Sequence, residues 1–524
     1  MSFFNELRKS IDEINNLQKT ENGAVGYKTT GKKLLDMNFS IPKYRKASEA
    51  EIVADFKQSF SENEILAILW MFFARDVRGG LGERRLFRIL FHWFCNEHSN
   101  YAKELLDCVA EYGRWDDLIR ATDNTPVWDD TVALVKKQLA EDLLNHEDSK
   151  GISLLAKWLP SERTSSQKTR ILARKLAKSL DINIVDYNRI CVKLRKYLDV
   201  TEIKMSAKEW ENINYAAVPS GANIKYNNAF LRNDEERRRA YLESLKKGET
   251  KINASTLFPH DIIHKYSKTS GWYGYVLGEY DEALEQLWKA LPEMGGLENT
   301  IVVADGSGSM TTCVDPNART TALEVANGLA LYCAEHCIGE FKDKYITFSS
   351  RPQFVDLSRA TTLHDKLAEA YKHDECSNTD VQAVFDLILH TAIRTNAKQE
   401  DIPKTILIVS DMEFDSATSS GWYGSRSSLT QTLFGVIEKK YKEAGYQLPR
   451  LVFWNVASRT GTIPMKENDL GVTLVSGFST SIVQMVQNGE TDPYLNLVKV
   501  ITGERYMPIC AKLFGDKFTK ENAK

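Results

Sequence analysis

Two apolar runs in the C-terminal half of the chain each stop at an aspartate. Ile301-Val302-Val303-Ala304 runs into Asp305, and Thr405-Ile406-Leu407-Ile408-Val409-Ser410 runs into Asp411. Unbroken β-branched runs of this length read as strands buried on both faces, the pattern of a parallel sheet. In open α/β sheets, ligands bind just beyond the carboxyl ends of the strands, so both carboxylates are expected at a binding rim. Asp305 opens the string Asp305-Gly306-Ser307-Gly308-Ser309-Met310, and Ser377-Asn378-Thr379-Asp380 lies between the two runs. The carboxylates of Asp305 and Asp411 and the hydroxyls of Ser307, Ser309 and Thr379 are hard oxygen donors. Such donors suit Mg²⁺, Ca²⁺ or Mn²⁺ and suit zinc or iron poorly.

At 524 residues the chain is long enough to hold two or more domains. Its 43% hydrophobic and 27% charged content excludes a disordered chain. A net charge of −3 excludes a uniformly basic nucleic-acid binder, so any basic face must be local. Cys95, Cys108, Cys191, Cys313, Cys333, Cys337, Cys376 and Cys510 are thinly spread and form no C-x-x-C pair. They read as reduced, mostly buried thiols of an intracellular protein, and Cys333 and Cys337, one helical turn apart, read as core packing. The N-terminus shows no basic-then-apolar leader, and the longest apolar run, 65–74, is too short to span a bilayer. A cytoplasmic location with no membrane partner is expected.

The first 297 residues read as helix after helix. Apolar faces at helical spacing predict helices over 62–75, 84–96, 101–112, 131–144, 167–179, 184–197, 234–247 and 280–290. Short polar connections bearing Gly or Pro suggest stacked helical pairs, an α-solenoid of HEAT or armadillo type without an exact period. Around Glu293-Met294-Gly295-Gly296-Leu297 the pattern changes. Strands are predicted over 300–305, 345–348, 353–356, 405–410, 450–456 and 472–475, and helices over 319–337, 380–394, 428–444 and 479–487. The expected fold class is therefore α + α/β, with a HEAT-like helical domain over 1–297 and a doubly wound α/β domain over 298–524. The stretch 494–524, apolar and then basic, either closes the α/β domain or reaches back onto the helical part.

The rim residues resemble the metal-ion-dependent adhesion site (MIDAS) of von Willebrand factor A domains. Asp305, Ser307 and Ser309 match its D-x-S-x-S element, Thr379 its separate threonine, and Asp411 its later aspartate. The resemblance implies a Rossmann-like sheet and a bound divalent cation, Mg²⁺ by default. Hydroxyls and waters would take the inner shell, with Asp305 and Asp411 acting partly through water. It also implies an open coordination position, filled by a carboxylate of a partner. In the first half, five strings resemble a family found in bacteria, phages, plants and fungi. They are Ala74-Arg75-Asp76-Val77-Arg78-Gly79-Gly80-Leu81-Gly82-Glu83-Arg84, Tyr112-Gly113-Arg114-Trp115-Asp116-Asp117-Leu118, Lys157-Trp158-Leu159-Pro160-Ser161, Val218-Pro219-Ser220 and Phe258-Pro259-His260-Asp261-Ile262. That resemblance covers nearly the whole chain, and the family is similar in architecture to the TROVE (Ro-type) proteins. It implies helical repeats in a ring closed by the A domain. A basic cavity would take single-stranded RNA ends and an outer face would take small structured RNA, as in a ribonucleoprotein.

Charge adds an independent argument. Between Arg163 and Lys196 there are ten Lys/Arg and only two acidic residues, Asp181 and Asp186. Arg170, Arg174 and Lys178 fall at i, i+4 and i+8, on one helix face, with Lys175 beside them. Lys193, Arg195 and Lys196 extend the stretch on the next predicted helix. These seven are the candidate RNA-binding residues, and the alternative is a solvated helix face. Arg75, Arg78, Arg84, Arg85 and Arg88 surround Gly79-Gly80-Leu81-Gly82, which lacks the Gly-Lys-Ser/Thr ending of a P-loop and reads as a tight turn. Trp115 reads as a buried residue with capping aspartates ahead of a base-stacking platform.

Enzyme readings fall short. His260-Asp261-Ile262-Ile263-His264 spaces two histidines like a zinc protease, but Asp261 is a carbon shorter than the required Glu and no third ligand is evident. Pro259 fits a first helical turn and makes His260 structural. The serines of the 306–309 loop lack a histidine at signature spacing, and a phosphoesterase needs more ligands. The expectation is a non-enzymatic, monomeric RNA-binding protein with a divalent-metal adhesion site. The alternative is a metal-dependent protein–protein scaffold that captures an acidic partner residue, and a metal-dependent hydrolase comes third.

Overall fold

The computed structural model describes residues 11, 15–269, 275–293, 295–314, 319–348, 351–373, 380–415, 433–464, 472–479, 482, 483, 485 and 492–515. Over these residues the chain is α + α/β: mostly helical, with one six-stranded mixed sheet in the C-terminal half. No helix among the described residues is long and apolar enough to cross a membrane.

The sheet comprises β1 (Thr300–Asp305), β2 (Lys344–Phe348), β3 (Gln353–Asp356), β4 (Thr405–Ser410), β5 (Arg450–Asn455) and β6 (Thr473–Ser476). Their spatial order is β6-β5-β4-β1-β2-β3. The first five in that order are parallel, and β3 runs antiparallel to β2 on the edge. β1 is buried along its whole length and β4 along all but Thr405, as their unbroken apolar runs require. The chain leaves β1 towards β2 on one side and returns to β4 on the other. The rim between β1 and β4 is therefore the point where the strand order reverses. Thr405 pairs with Thr300 and Val409 with Ala304. This register ends both strands together and sets Ser410 beside Asp305.

Helix α1 (Ala322–His336) follows the loop after β1 and packs against β1, β2 and β4. A capping box starts it: Thr321 N donates to Glu324 Oε2 at 2.8 Å, and Glu324 N to Thr321 Oγ1 at 3.3 Å. Its outer side is covered by the helix Pro259–Tyr266. Gly328 permits that approach, because a Cβ there would lie 3.0 Å from His260 N.

Packing divides the chain differently from the boundary expected between residues 297 and 298. One compact unit contains residues 1–64 with 257–500, and the other contains 65–256 with 501–524. Leu17–Lys19 and Val25–Tyr27 form a two-stranded ladder, and Tyr27 exchanges backbone hydrogen bonds of 2.8 and 2.9 Å with Ile463. The helix Glu282–Lys289 supplies Glu285, whose carboxylate accepts Leu363 N at 2.8 Å and His364 N at 3.0 Å, at the start of the helix Leu363–Ala370. Periodicity identifies the type of an element but not which core it covers, so the helices at 259–289 read as part of the helical half.

In the helical unit the predicted helices 167–179 and 184–197 are Gln167–Ser179 and Ile184–Tyr197, and 131–144 lengthens to Trp128–Glu147. Of the two placements open for the tail, its end takes the second: Arg505 and Tyr506 both bond the buried Asp76 carboxylate, the tyrosine hydroxyl at 3.1 Å. The predicted helix 479–487 lies largely outside the described residues. The described cysteines are free thiols, buried except Cys313, and Cys376 lies outside the described residues. Cys333 and Cys337 are both core residues whose thiols burial pushes up.

His264 Nδ1 lies 3.0 and 3.1 Å from the carboxylate oxygens of Glu324, the acid of the capping box. That hydrogen bond raises the histidine pKa, against the opposing effect of burial. A raised folded-state value stabilises the fold below the unfolded value of about 6.5, and this contribution is lost as pH rises through the higher folded value. The melting-temperature gap between the wild type and His264→Gln should therefore be widest near about pH 6 and narrow towards about pH 8.5. A gap independent of pH would exclude the pair as its source.

Candidate metal centre

The strand register assembles the rim. Asp305, Ser307 and Asp411 are buried and Ser309 is half-buried. Asp305 Oδ1 accepts Ser307 N at 2.9 Å, which folds the loop back over the strand end. Asp305 Oδ2 accepts the hydroxyl of Ser410 at 2.5 Å. The hydroxyls of Ser307 and Ser309 lie 3.0 Å apart, and Ser309 bonds the Asp411 carboxylate. Asp411 Oδ1 accepts Glu413 N at 3.1 Å. Four of the five expected ligands thus converge, and Thr379 lies outside the described residues. Its neighbour Asp380 caps the helix Val381–Thr395, accepting Ala383 N at 3.1 Å.

Burial, and then the charge of Asp411, pushes the Asp305 carboxyl up to about 7. Burial likewise raises Asp411. Two like charges in a dry rim favour a proton or a cation between them. Two carboxylates and two hydroxyls with no sulfur or imidazole fit a hard divalent cation such as Mg²⁺. Among the described residues, the rim included, no group of three or more His, Cys, Asp or Glu is placed to hold a metal ion, so the candidate centre depends on its hydroxyls as well as its carboxylates.

Sequence reasoning missed the supports of this rim. Glu413 is fully buried and accepts Glu21 N at 2.8 Å, Arg459 N at 2.9 Å and Thr460 N at 2.8 Å, with the Thr460 hydroxyl at 2.9 and 3.0 Å. It ties the loop after β5 to the N-terminal segment. Arg459 reaches Asp411 Oδ2 at 3.4 Å and Glu21 at 2.6 Å. Beside Arg459 opens a cleft of about 260 Å³ whose lining includes Lys43, Lys46 and Glu51. Glu413 was within reach as the acid two residues after Asp411, whereas nothing local marks Arg459 or Glu21.

Other sequence candidates sort clearly. Pro259 occupies the first turn of its helix, and Asp261 accepts Phe258 N at 2.9 Å. His260 is buried, with ring contacts to Phe258 and Phe478 at 5.6 and 4.7 Å, so it serves packing. Trp115 is buried, but Asp116 and Asp117 do not cap: they hold Arg88 at 2.6 Å each, and Asp117 also holds Arg75. The 79–82 string is a tight turn, with Gly80 N bonded to Asp76 O and Leu81 N to Phe73 O. On the basic helices, Arg174 pairs with Glu162 at 2.8 Å. Lys175 binds Asp123 at 2.5 Å and lies 4.4 Å over Trp128. Arg195 donates to the carbonyls of Ala156 and Leu159 at 2.7 and 2.8 Å. These three have internal partners, while Arg170, Lys178, Lys193 and Lys196 are exposed with no ion pair among the described residues.

Residues 126–294 match a domain of unknown function, DUF2828, and residues 299–500 match a second, DUF7788. The chain is 28% identical over 515 residues to the uncharacterized protein L728 of Acanthamoeba polyphaga mimivirus, an alignment covering 91% of this chain and 85% of that protein. The second domain match begins one residue before β1, and every expected metal ligand falls inside it.

Two substitutions separate the roles. Because burial raises Asp305, the ion-free fold loses stability as pH rises from about 3.9 towards the folded value of about 7, and carries the full cost above it. Asp305→Asn should therefore melt above the wild type in chelator at about pH 8, yet gain nothing from Mg²⁺. The wild type should gain about 2.7 kcal/mol at a hundredfold excess over Kd. A Mg²⁺ shift that persists in Asp305→Asn places the ion elsewhere. Glu413→Ala should cost about 3–5 kcal/mol in chemical denaturation and expose residues 17–29 to limited proteolysis. Unaltered proteolysis would mean that Glu413 does not hold that segment.

Proposed function

We propose that the protein is a non-enzymatic RNA-binding protein of Ro-like type, with a divalent-cation adhesion site of von Willebrand A type in its α/β unit. The observation that carries this reading is the convergence of Asp305, Ser307, Ser309 and Asp411 at the strand-order reversal. Five parallel strands with one antiparallel edge strand support the A-type reading of the sheet. Helices packed on their neighbours in sequence support a HEAT-like reading of the other unit. A cation held at the rim would supply a Lewis-acidic position for an anionic oxygen. The hydroxyls of Ser307 and Ser309 and the carboxylates of Asp305 and Asp411 would hold it, and Glu413 fixes the loop that follows Asp411.

Arg170, Lys178, Lys193 and Lys196 support the RNA part. They lie on consecutive helices, Gln167–Ser179 and Ile184–Tyr197, and among the described residues no carboxylate forms an ion pair with them. Such a face attracts phosphates and releases counterions on binding. A second reading, a scaffold that captures an acidic partner residue through the cation, draws support from the exposed Lys46 in the cleft beside the rim, where Lys43 pairs with Glu51 and Arg459 with Glu21.

Filter binding of single-stranded RNA across a salt series distinguishes the two. Retention should fall steeply with salt. Joint reversal at Arg170, Lys178 and Lys196 to Glu should lower the slope of log affinity against log salt by about 0.7 for each phosphate no longer neutralised. No retention even at low salt, with Mg²⁺-dependent capture of an acidic peptide, would replace the RNA reading with the scaffold.

A further inference from the structure

Five arginines of the helical unit gather around two aspartates. Arg75 donates to Asp117 Oδ2 at 2.6 and 2.8 Å, and Arg88 bridges Asp116 and Asp117 at 2.6 Å each. Arg120 lies 3.8 Å from Asp116. Arg84 lies one turn before Arg88 on the helix Arg84–Glu97, and Arg114 directly precedes the helix Trp115–Ala121 that carries both aspartates; among the described residues neither side chain has a hydrogen bond or an ion pair. The carboxylates that act on them are the same two, already engaged by Arg75 and Arg88. Three positive charges are left over. Burial, then Arg84 and Arg75, lowers Arg114 to about 10. Five guanidinium groups around two carboxylates leave an excess of positive charge that an anion would balance.

The frame around them is rigid. Arg114 lies 4.3 Å over the ring of Trp158, with Lys157 5.6 Å from the same ring. Gly113 brings the backbone against the ion pair, where a Cβ would lie 3.0 Å from Asp117 Oδ2 and 3.1 Å from Arg75 Nε. Arg84 is exposed and Arg114 half-buried, so solvent reaches the pair. Arg120 donates to Thr169 Oγ1 at 3.3 Å. That bond joins the cluster to the start of the helix Gln167–Ser179, which carries Lys168, Arg170 and Lys178 exposed.

We propose that Arg84 and Arg114 form a phosphate-binding site, and that the backbone of a single-stranded nucleic acid enters the basic track of the helical unit there. The second clause rests on the RNA reading above, and the first does not. Arginine forks suit phosphate oxygens. Continuity with the next basic helix favours an extended polyanion over an isolated ion.

The test uses the full chain and two probes. One is a labelled oligouridylate of about twelve nucleotides, followed by anisotropy across a salt series. The other is inorganic pyrophosphate, followed by thermal shift against chloride at equal ionic strength. Arg84→Gln and Arg114→Gln should each weaken oligouridylate binding about tenfold and flatten its salt slope by about one charge. Both should also abolish the pyrophosphate shift. Arg114→Lys, which keeps the charge, should recover part of the affinity, separating lost charge from lost folding. Arg239→Gln, a matched charge change elsewhere in the unit, should leave binding within about twofold. Wild-type binding to the oligouridylate, unaltered in both variants, overturns the site while the RNA reading stands. A pyrophosphate shift lost in both variants, without any oligouridylate binding, supports the phosphate site and overturns the RNA reading. No response to either probe overturns both.

Discussion

The register of β4 against β1 puts two buried carboxylates and three serines into one rim, and much of the α/β unit serves to hold that arrangement. Asp305 and Asp411 are 1% exposed. Buried like charges are costly, and each is tolerable only with hydrogen bonds or an opposite charge nearby. The rim supplies the first through Ser410, Ser307 N, Ser309 and Glu413 N. It supplies the second only in part, through Arg459 at 3.4 Å. A hard cation, as proposed above, would complete the balance.

The ladder at residues 17–27 and the loop after β5 meet on Glu413. A third buried carboxylate is thus satisfied by backbone N–H groups and a hydroxyl and asks for no metal. The contrast with Asp305 is instructive. Both are buried acids at the same sheet end, yet Glu413 takes donors from two segments far apart in sequence, while Asp305 faces the charge of Asp411. Donors from distant segments mark a structural carboxylate, and a like-charged neighbour marks a candidate ligand.

Most of the fold was legible because periodicity reports it directly. β1, β3 and β4 fall on their predicted bounds, as do the helices Gln167–Ser179 and Ile184–Tyr197. Four rim residues were legible because strand ends project their last side chains at a known edge. What stayed hidden depends on contacts between segments far apart in sequence. Ser410 looked like a strand residue until the register set it against Asp305. Glu413 gains its role from residues 21 and 459–460. The division at 297/298 followed element type, whereas Glu285 and the helix Pro259–Tyr266 are attached to the sheet by tertiary contacts that no local pattern encodes.

The same distinction between satisfied and unsatisfied charge orders the helical unit. Counting basic residues in a segment treated Arg195 and Lys196 alike, but Arg195 closes two helix-end carbonyls while Lys196 faces solvent. Conversely, the cluster around Gly79-Gly80 read as a turn, and so it is, yet among the described residues the side chain of its Arg84 has no hydrogen bond or ion pair. Net charge of a segment therefore predicts less than the set of carboxylates within reach of each head group. On that criterion Arg75 and Arg88 build the frame, and Arg84 and Arg114 are the two that the proposed anion would meet.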